Sequence, residues 1–389
     1  MPLKQPQIFL THCLIDLKAV RLNIKQLKKL ILTNYQFSLP TRPKPRNPPE
    51  LLSVIKADAY GHGMIKVAEV LDKEGVGFFG VSDLSEGIAL RKSKLKRPIL
   101  LFETALLENI DLFITYNLMP TVCSLNFAKQ LNQQAGKKKK YVDIHIKVDT
   151  GMGRLGVFHK NAREFILKVS KLNNLRIVGL MTHFPAADTD KSFTQKQLIF
   201  FYDIVTYFDK QGLIIPYIHA ANSMGLAGYK THVLNLARPG LMMYGLYPHK
   251  SLHKKIKLKP AMSIKSKVIF VKDVDRGQSI SYGRTFFTKS DMRIATIPIG
   301  YNDGYSRSYS NKSDVLIQGT RCAIVGVVTM DQIMVDVTHL KSVHPGAVVV
   351  ILGKQGKEEI TADELASHAG TINYEIVCNL GNRLPRLYK

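Results

Sequence analysis

Along the first two thirds of the chain, short apolar runs alternate with longer stretches in which apolar residues recur at helical spacing. The apolar runs predict eight strands, at Leu51–Lys56, Gly77–Ser82, Pro98–Phe102, Leu118–Cys123, Val142–Val148, Ile177–Thr182, Tyr217–Ala220 and Leu234–Arg238. The intervening stretches predict amphipathic helices, at Met64–Glu74, Leu84–Lys92, Leu125–Ala135, Asn161–Leu172 and Thr194–Gln211. Strands that alternate with helices in this way predict an α/β fold, a parallel (β/α)8 barrel.

The pattern changes near residue 250, where short β-rich runs separated by Gly, Asp and Asn follow one another. They predict strands at Val268–Val274, Met292–Pro298, Asp314–Ile317, Thr320–Val328, Ile333–Val337 and Ala347–Leu352. We therefore expect a barrel over residues 14–248 and a mostly β domain over residues 249–389, to which residues 1–13 can also be assigned. The segment 41–50, TRPKPRNPPE, predicts an extended surface loop because of its four prolines.

Composition narrows the class of protein. The chain has 389 residues and a mean hydropathy of -0.03, and it lacks the apolar run of about 18 residues that a membrane span needs. The N-terminus has no basic region followed by an unbroken apolar core, so we expect no signal peptide. The four cysteines show no CxxC spacing, which is typical of reduced thiols in a cytoplasmic protein and indicates neither zinc nor disulfides.

The strongly basic balance raises nucleic-acid binding as an alternative. The net charge is +25, from 55 Lys and Arg against 30 Asp and Glu, and a basic surface attracts polyanions. No RNP, zinc-finger or KH motif accompanies that charge. The longest basic run, Lys137–Lys140, is most simply a solvated loop. We expect no specific nucleic-acid partner.

A lysine ends the first predicted strand, in the segment Ser53–Gly63, which reads SVIKADAYGHG. The carboxyl ends of the strands form the active-site face of such a barrel. An amine that loses hydration there becomes available as a nucleophile or for forming a Schiff base. A surface lysine whose charged end reaches water is the plainer alternative, so Lys56 alone indicates little.

Polar residues alternate with apolar ones along the fifth predicted strand, at Asp143, His145, Lys147 and Asp149. Period two places all four on one face, which in a barrel points into the lumen. Charges buried there need partners, since an unpaired buried charge is costly. The next loop carries three glycines, which let the backbone approach a ligand, and Arg154, which suits a carboxylate.

The segments that follow the seventh and eighth predicted strands read HAANSMG and ARPGLMMYG. Loops after these two strands commonly bind phosphate in a barrel of this kind. Asn222, Ser223 and the backbone amides near Gly240 are suitable hydrogen-bond donors. Arg238, at the end of the last strand, is a candidate buried cation.

These segments stand in an order that resembles the alanine racemases, which are fold-type III pyridoxal-phosphate enzymes. The resemblance runs from about Cys13 to Arg386 and rests on nine motifs, which together are far more specific than any one of them. In chain order they are KADAYGHG at 56–63, VDTGMGRLG at 148–156, THF at 182–184, ANS at 221–223, RPGLMMYGL at 238–246, SYG at 281–283, IGYNDG at 299–304, MDQ at 330–332 and TINYEI at 371–376.

The resemblance implies that Lys56 holds pyridoxal phosphate as a Schiff base and acts as the base on one face of the substrate, with Tyr282 on the other. A racemisation needs two such groups, because the α-proton leaves on one side and returns on the other. Arg238 is implied to face the pyridine nitrogen. Since a guanidinium cannot readily give up a proton, the ring would stay a moderate electron sink, which disfavours transamination.

The resemblance also assigns supporting roles. The further implied cofactor contacts are Tyr60, His183, Ser223, Gly240, Leu241 and Tyr374. Asn222 is added to them because it is a suitable donor in the segment after the seventh predicted strand. Arg154 and the Met330 amide are implied to hold the substrate carboxylate, while Asp331 lies beside Tyr282 and Tyr301 narrows the access route. Lys147 is implied to be carbamylated, as N6-carboxylysine, and to brace Arg154; an unmodified Lys147 paired with Asp143 or Asp149 is the alternative.

The implied assembly is a cytoplasmic homodimer whose active sites are shared between subunits, and no metal is expected. The implied reaction interconverts L-alanine and D-alanine, either to supply D-alanine for peptidoglycan or in alanine catabolism. Three other enzyme or carrier classes share parts of the scaffold. A fold-type III decarboxylase would need a cysteine-bearing catalytic loop in place of SYG, a racemase for serine or many amino acids would differ in pocket volume, and a non-catalytic pyridoxal-phosphate carrier would be a lone barrel.

Overall fold

The computed structural model describes residues 9–35, 47–104, 106–231 and 233–389. The chain divides into two compact units: Val20–Lys259, and the N-terminal segment up to Ala19 together with Pro260–Lys389. The first of these is called the barrel unit below. It ends at Lys259, whereas the sequence pattern placed the domain boundary at residue 248. Of the proline-rich segment 41–50, residues 41–46 lie outside the described part of the chain.

Eight short strands form the centre of the barrel unit: Glu50–Val54, Phe78–Val81, Ile99–Leu101, Thr121–Val122, Val142–Asp149, Leu175–Met181, Tyr217–His219 and Leu236–Ala237. They pair in parallel as two four-stranded arcs. A parallel bridge between Leu100 and Met119 joins the arcs on one side. On the other, the Asn235 N–H donates to the Ile218 carbonyl at 3.0 Å. The predicted parallel barrel is confirmed.

Most of the barrel strands are nearly continuous apolar runs because both of their faces are covered, whereas Val142–Asp149 alternates apolar and polar residues. Inward-facing side chains such as Leu52, Phe78, Leu100 and Leu236 pack together in the barrel centre.

The α-helices of the described residues, in both units, are Leu17–Tyr35, Met64–Lys73, Leu84–Lys92, Ile110–Thr115, Leu125–Lys137, Ala162–Ser170, Lys191–Lys210, Ser223–Gly228, Ala362–Ala369 and Asn373–Cys378. None of them is long and apolar enough to cross a membrane.

The other unit, called the β unit below, is built on mostly antiparallel sheets, and its β-rich character agrees with the pattern. One sheet has the strand order Thr320–Ala323, Asp314–Ile317, Val348–Gln355, Met262–Lys267, His12–Ile15 and Arg386–Tyr388, with Glu358–Ile360 paired to Val348–Gln355. A second contains Phe270–Val274, Met292–Ile297 and Ile333–Asp336, and a small ladder pairs Ser279–Ile280 with Phe286–Phe287. The N-terminal strand belongs here because it pairs with both Met262–Lys267 and Arg386–Tyr388.

The β unit differs from its predicted pattern in one interrupted strand and in several elements that were not predicted, among them the strands Glu358–Ile360 and Arg386–Tyr388. The run Thr320–Val328 is not one strand: after Ala323 the chain leaves the first sheet, and Val325 donates its N–H to Met334 in the second. The strand Met262–Lys267 and the two helices near the C-terminus were not predicted from the pattern. The strand MSIKSK has two apolar positions, and the helices have only 8 and 6 residues, so tertiary packing decides these elements rather than local periodicity.

Candidate active site

Lys56 follows the first barrel strand, Glu50–Val54, and begins an unusual turn. The four residues after it, from Ala57 to Tyr60, all have φ between +51° and +56° and form a left-handed helical turn without a glycine. In L-amino acids this conformation costs roughly 1–2 kcal/mol per residue. Strain of that kind persists only where the surroundings enforce it, and it is concentrated at functional sites.

Two carboxylates enforce the left-handed turn. Glu86 accepts the backbone N–H of Ala57 at 2.6 Å and that of Ser82 at 2.8 Å. The Asp58 carboxylate accepts the N–H of Met64 at 2.7 Å. Burial raises the pKa of Glu86, and its hydrogen bonds with backbone N–H groups act against that rise. The loops after the first and second barrel strands are therefore tied together beside the lysine.

A guanidinium lies buried at the end of the last barrel strand. Arg238 donates to the carbonyl oxygens of Thr182 at 2.8 Å and Ala220 at 2.9 Å. It also contacts the Nδ1 atoms of His219 at 2.8 Å and His183 at 3.2 Å. The hydrogen-bond partners that the described residues give it include no carboxylate. Burial lowers the pKa of Arg238 to about 10, so the guanidinium remains charged near neutral pH.

The contacts of Arg238 determine the tautomers of the histidines beyond it. A guanidinium can only donate, so Nδ1 of His219 accepts and its ring proton lies on Nε2. That Nε2 lies 2.8 Å from Nδ1 of His145, to which it donates. Burial, and then the charge of Arg238, lowers the pKa of His145 to about 3 and that of His219 well below its ordinary value. Both rings are therefore neutral.

Lys147 lies in the barrel with only 4% of its surface exposed. Burial, followed by the charges of Arg238 and Arg154, lowers its pKa to about 8. Asp143 was one of the two carboxylates considered as a partner for Lys147, but it forms an ion pair with Arg176 at 2.6 Å.

Asp149 is also engaged away from Lys147. Its carboxylate accepts the backbone N–H groups of Gly151, Met152 and Gly153 at 2.8–3.2 Å, which folds the glycine-rich loop. In the described part of the chain, neither Asp149 nor Asp143 forms an ion pair with Lys147. The expected lumen position of Lys147 is thus observed without the carboxylate partner that the alternative reading required.

The loops after the last two barrel strands meet at a glycine. The N–H of Gly240 donates to Ser223 Oγ at 3.1 Å, and Asn222 caps the helix that begins at Ser223 by accepting a backbone N–H at 2.9 Å. A Cβ on Gly240 would lie 2.4 Å from the phenol oxygen of Tyr60, so only glycine allows this approach. Leu241 begins a 3-10 turn directly afterwards. Backbone amides and hydroxyls gathered in this way suit an anion.

The lowered pKa of His183 shows which positively charged side chains lie near it. Burial lowers its pKa most, and the positive charges of Arg238, Lys147, Arg154 and Lys56 lower it further. The barrel unit therefore brings these expected site residues together, although they come from four different strand-end segments. Their shared property is positive charge.

The β unit carries the remaining expected residues. Tyr282 lies in a short turn and is 73% exposed. Tyr374 lies on the helix Asn373–Cys378. The loops of Tyr301 and Met330 are joined, because Tyr301 donates its N–H to the Thr329 carbonyl at 3.0 Å. The described structure of a single chain thus places the expected site residues in two separate units.

An arginine that the sequence analysis did not identify holds these loops. Arg383 binds the buried Asp303 through two hydrogen bonds, at 2.7 and 2.9 Å, and Asp331 at 2.6 Å. Asp303 in turn accepts the N–H of Gly300 at 2.9 Å. Other residues missed from sequence are Glu86, which supports the lysine turn, and His219, which anchors Arg238. Glu86 had no signal in sequence, whereas His219 opens the HAANSMG segment and could have been singled out.

Comparisons with known proteins give a consistent result. The family described as alanine racemase, N-terminal domain, matches residues 15–248, and the family described as alanine racemase, C-terminal domain, matches residues 261–388. An alanine racemase of Halothermothrix orenii is 42% identical over 376 residues, which cover 96% of each chain.

Solved structures agree in fold along nearly the whole chain. The structure of alanine racemase from Clostridium difficile 630 matches with a TM-score of 0.89 and 34% identity, covering 98% of this chain and 96% of that one. A Bartonella henselae alanine racemase with covalently bound pyridoxal phosphate matches with a TM-score of 0.84 and 27% identity, covering 98% and 100%.

The neutral buried histidines predict an acid-sensitive fold. In the unfolded chain a histidine binds a proton below about pH 6.5, whereas His145 and His219 remain unprotonated in the folded protein until much lower pH. The unfolded state therefore binds more protons as the pH falls from about 7 to about 5, and each histidine lowers the free energy of unfolding by up to about 1.4 kcal/mol per pH unit.

Urea unfolding at several pH values measures this slope. His145→Gln should make it shallower, because one buried histidine no longer gains a proton on unfolding. The matched control is His344→Gln, at an exposed position, which should leave the slope as it is. An unchanged slope in His145→Gln would contradict the assignment of a buried neutral ring.

Proposed function

This chain belongs to the alanine racemase family, and on that premise we propose that it interconverts L-alanine and D-alanine with pyridoxal phosphate. The observation that carries the proposal is the pair of buried cations Arg238 and Lys147, whose charges act on His183 together with those of Arg154 and Lys56. Because the described residues give Arg238 no carboxylate partner, its charge and those near it suit an anionic cofactor and the carboxylate of an amino acid.

The residues of the barrel unit fit the cofactor. Tyr60, Ser223 and the backbone around Gly240 and Leu241 would hold the phosphate, with Asn222 capping the helix beneath it. Arg238 would donate to the pyridine nitrogen without protonating it, since its own pKa stays near 10. The cofactor, when bound through the Lys56 amine, supplies an electron sink for the charge left at the α-carbon.

Racemisation needs a proton acceptor on each face of the α-carbon, and we assign these roles to Lys56 Nζ and Tyr282 Oη. A tyrosine with its ordinary pKa of about 10 needs nearby positive charge to act at neutral pH. In the proposed shared site, Arg154 and the other cations that act on His183 would provide this positive charge. The Met330 amide and Arg154 would orient the substrate carboxylate, with Asp331 supporting the Met330 loop.

The exposure of Tyr282 supports a homodimer with shared active sites. A catalytic tyrosine that is 73% exposed cannot work in a water-excluding site within its own unit. Tyr301 and Met330 are also exposed, at 45% and 52%, although both are large apolar side chains. A two-fold dimer would place the Tyr282 of one protomer over the Lys56 of the other and create two equal sites.

Lys147 is a candidate for carbamylation. Its lowered pKa of about 8 leaves a larger fraction of neutral amine than an ordinary lysine has. The protonated amine would first lose a proton, and the neutral nitrogen would then attack CO2 and lose a second proton. The product is a carbamate, so a cation is converted into an anion near Arg154 with the release of two protons. An anion there would also relieve the excess of positive charge in the barrel.

Access to the site and the cellular role follow from the same assignment. Tyr301 and Tyr374 would narrow the route to the cofactor and favour alanine over larger amino acids by steric exclusion. The reaction would supply D-alanine for peptidoglycan or serve alanine catabolism in the cytoplasm. Assaying racemisation across a panel of L-amino acids tests the substrate range, and a racemase for serine or many amino acids is the competing outcome.

The cofactor assignment predicts a covalent label. Purified enzyme treated with borohydride should carry the mass of the reduced cofactor on the peptide that contains Lys56, because reduction makes a lysine imine permanent. Lys56→Ala should lose both the label and racemase activity, while Lys66→Ala, at an exposed helical lysine, should keep both. A label on another lysine would show that the cofactor lysine is wrongly assigned.

Shared sites predict complementation between inactive chains. Lys56→Ala and Tyr282→Ala should each be inactive, and mixing them after subunit exchange should recover up to about a quarter of the wild-type activity, since half the dimers are mixed and each has one intact site. Each variant mixed with itself is the control. If verified mixed dimers stay inactive, each site is built from one chain.

A further inference from the structure

Arg238, His219 and His145 are joined in series by hydrogen bonds. The proposed chemistry gives a role to Arg238 but none to His145. We infer that His145 is a positioning residue: its Nδ1 accepts the Nε2–H of His219 and so holds His219 in the orientation that fixes the Arg238 guanidinium. The inference rests on the proposed role of Arg238 opposite the cofactor ring. It deepens that role, because the reacting end of the site would depend on a ring two hydrogen bonds away.

The direction of each hydrogen bond is determined by chemistry. Arg238 has only donors, so it must donate to His219 Nδ1, 2.8 Å away. His219 then has one N–H, on Nε2, and its neighbour at 2.8 Å is His145 Nδ1. A neutral imidazole has one donor and one acceptor nitrogen, so His145 accepts with Nδ1 and carries its proton on Nε2.

The backbone makes room for the His145 ring. Pairing between the strands Val142–Asp149 and Leu175–Met181 shifts in register between Ile144 and His145. After the shift His145 lies opposite Gly179, where a Cβ would be 2.1 Å from His145 Nδ1. Both a register irregularity and a glycine are therefore needed to seat this ring against its partner.

The far side of the ring shows what the histidine is not used for. His145 Nε2 is buried and has no hydrogen-bond partner among the described residues, and the ring meets the edge of Phe78 with centroids 6.4 Å apart. Leucine would fill this apolar wall without burying an unpaired N–H, which is costly. The polar contribution of His145 is therefore its Nδ1 acceptor.

Burial supports the same role for the ring. A positioning acceptor must stay neutral at the pH at which the enzyme works, and the pKa of His145 is lowered to about 3 by burial and by the charge of Arg238. The ring is thus a neutral acceptor near neutral pH.

Two substitutions separate hydrogen bonding from packing. His145→Gln keeps an acceptor that can reach His219, whereas His145→Leu removes it at similar volume. Phe78→Leu is the control, since it loosens the packing around His145 without touching the hydrogen bonds. In the holoenzyme, His145→Leu should lower kcat for alanine roughly tenfold, as expected for losing an oriented hydrogen bond.

The pattern across the three variants decides the matter. KM should stay within about threefold in His145→Leu, since substrate contacts are intact, His145→Gln should recover most of kcat, and Phe78→Leu should lower the melting temperature with kcat retained. Equal losses in the Gln and Leu variants, an unchanged kcat in the Leu variant, or an equal loss in Phe78→Leu would each overturn the inference.

A second measurement is independent of activity and of variants that fail to fold. In wild-type protein labelled with 15N histidine and free of cofactor, His219 should show a protonated Nε2 and an unprotonated Nδ1, with Nε2–H hydrogen bonded. A doubly protonated His219 or a proton on its Nδ1 would overturn the inference. If instead the wild-type enzyme fails to racemise alanine while this tautomer is present, the proposed function fails and the hydrogen-bonded chain stands.

Discussion

The buried charge of Arg238 is the constraint on which the rest of the site depends. Moving a guanidinium out of water is costly unless its hydrogen bonds are satisfied. Two backbone carbonyls, of Thr182 and Ala220, and two neutral imidazoles provide those acceptors. Because none of them carries negative charge, the positive field is left uncompensated. Burial, and then that field, lowers the pKa of Lys147 and of His183.

The barrel explains how such a site can be stable. Its strand ends meet at one face, so residues from distant segments reach a common point while the apolar barrel centre supports them from below. The cost of the left-handed turn after Lys56 is met by Glu86 and Asp58, which bind its backbone and the start of the next helix. Strain and buried charge are therefore both placed where hydrogen bonds from neighbouring segments hold them.

The periodic pattern was sufficient to predict the barrel, because most of its eight strands are short apolar runs between turn residues and the fifth, Val142–Asp149, alternates apolar and polar residues. The β unit was harder to predict, since its strand Met262–Lys267 is held by neighbours far away in sequence. Motif resemblance pointed to Lys56, Arg154 and Arg238. The series of hydrogen bonds from Arg238 through His219 to His145 could not be predicted, because His145 and His219 are 74 residues apart and meet only through a register shift. Nor does KADAY, which lacks glycine in the turn, indicate positive φ.

The most direct test of this account is the balance between racemisation and transamination in Arg238→Glu. A carboxylic acid beside the pyridine nitrogen could protonate it, which a guanidinium with a pKa near 10 does not do. Quantifying pyruvate formed per alanine racemised in the reconstituted enzyme should show a clear rise over wild type, together with a loss of racemase turnover. A ratio that stays at the wild-type level, in a variant shown to bind the cofactor, would contradict the claim that the charge of Arg238 governs the site.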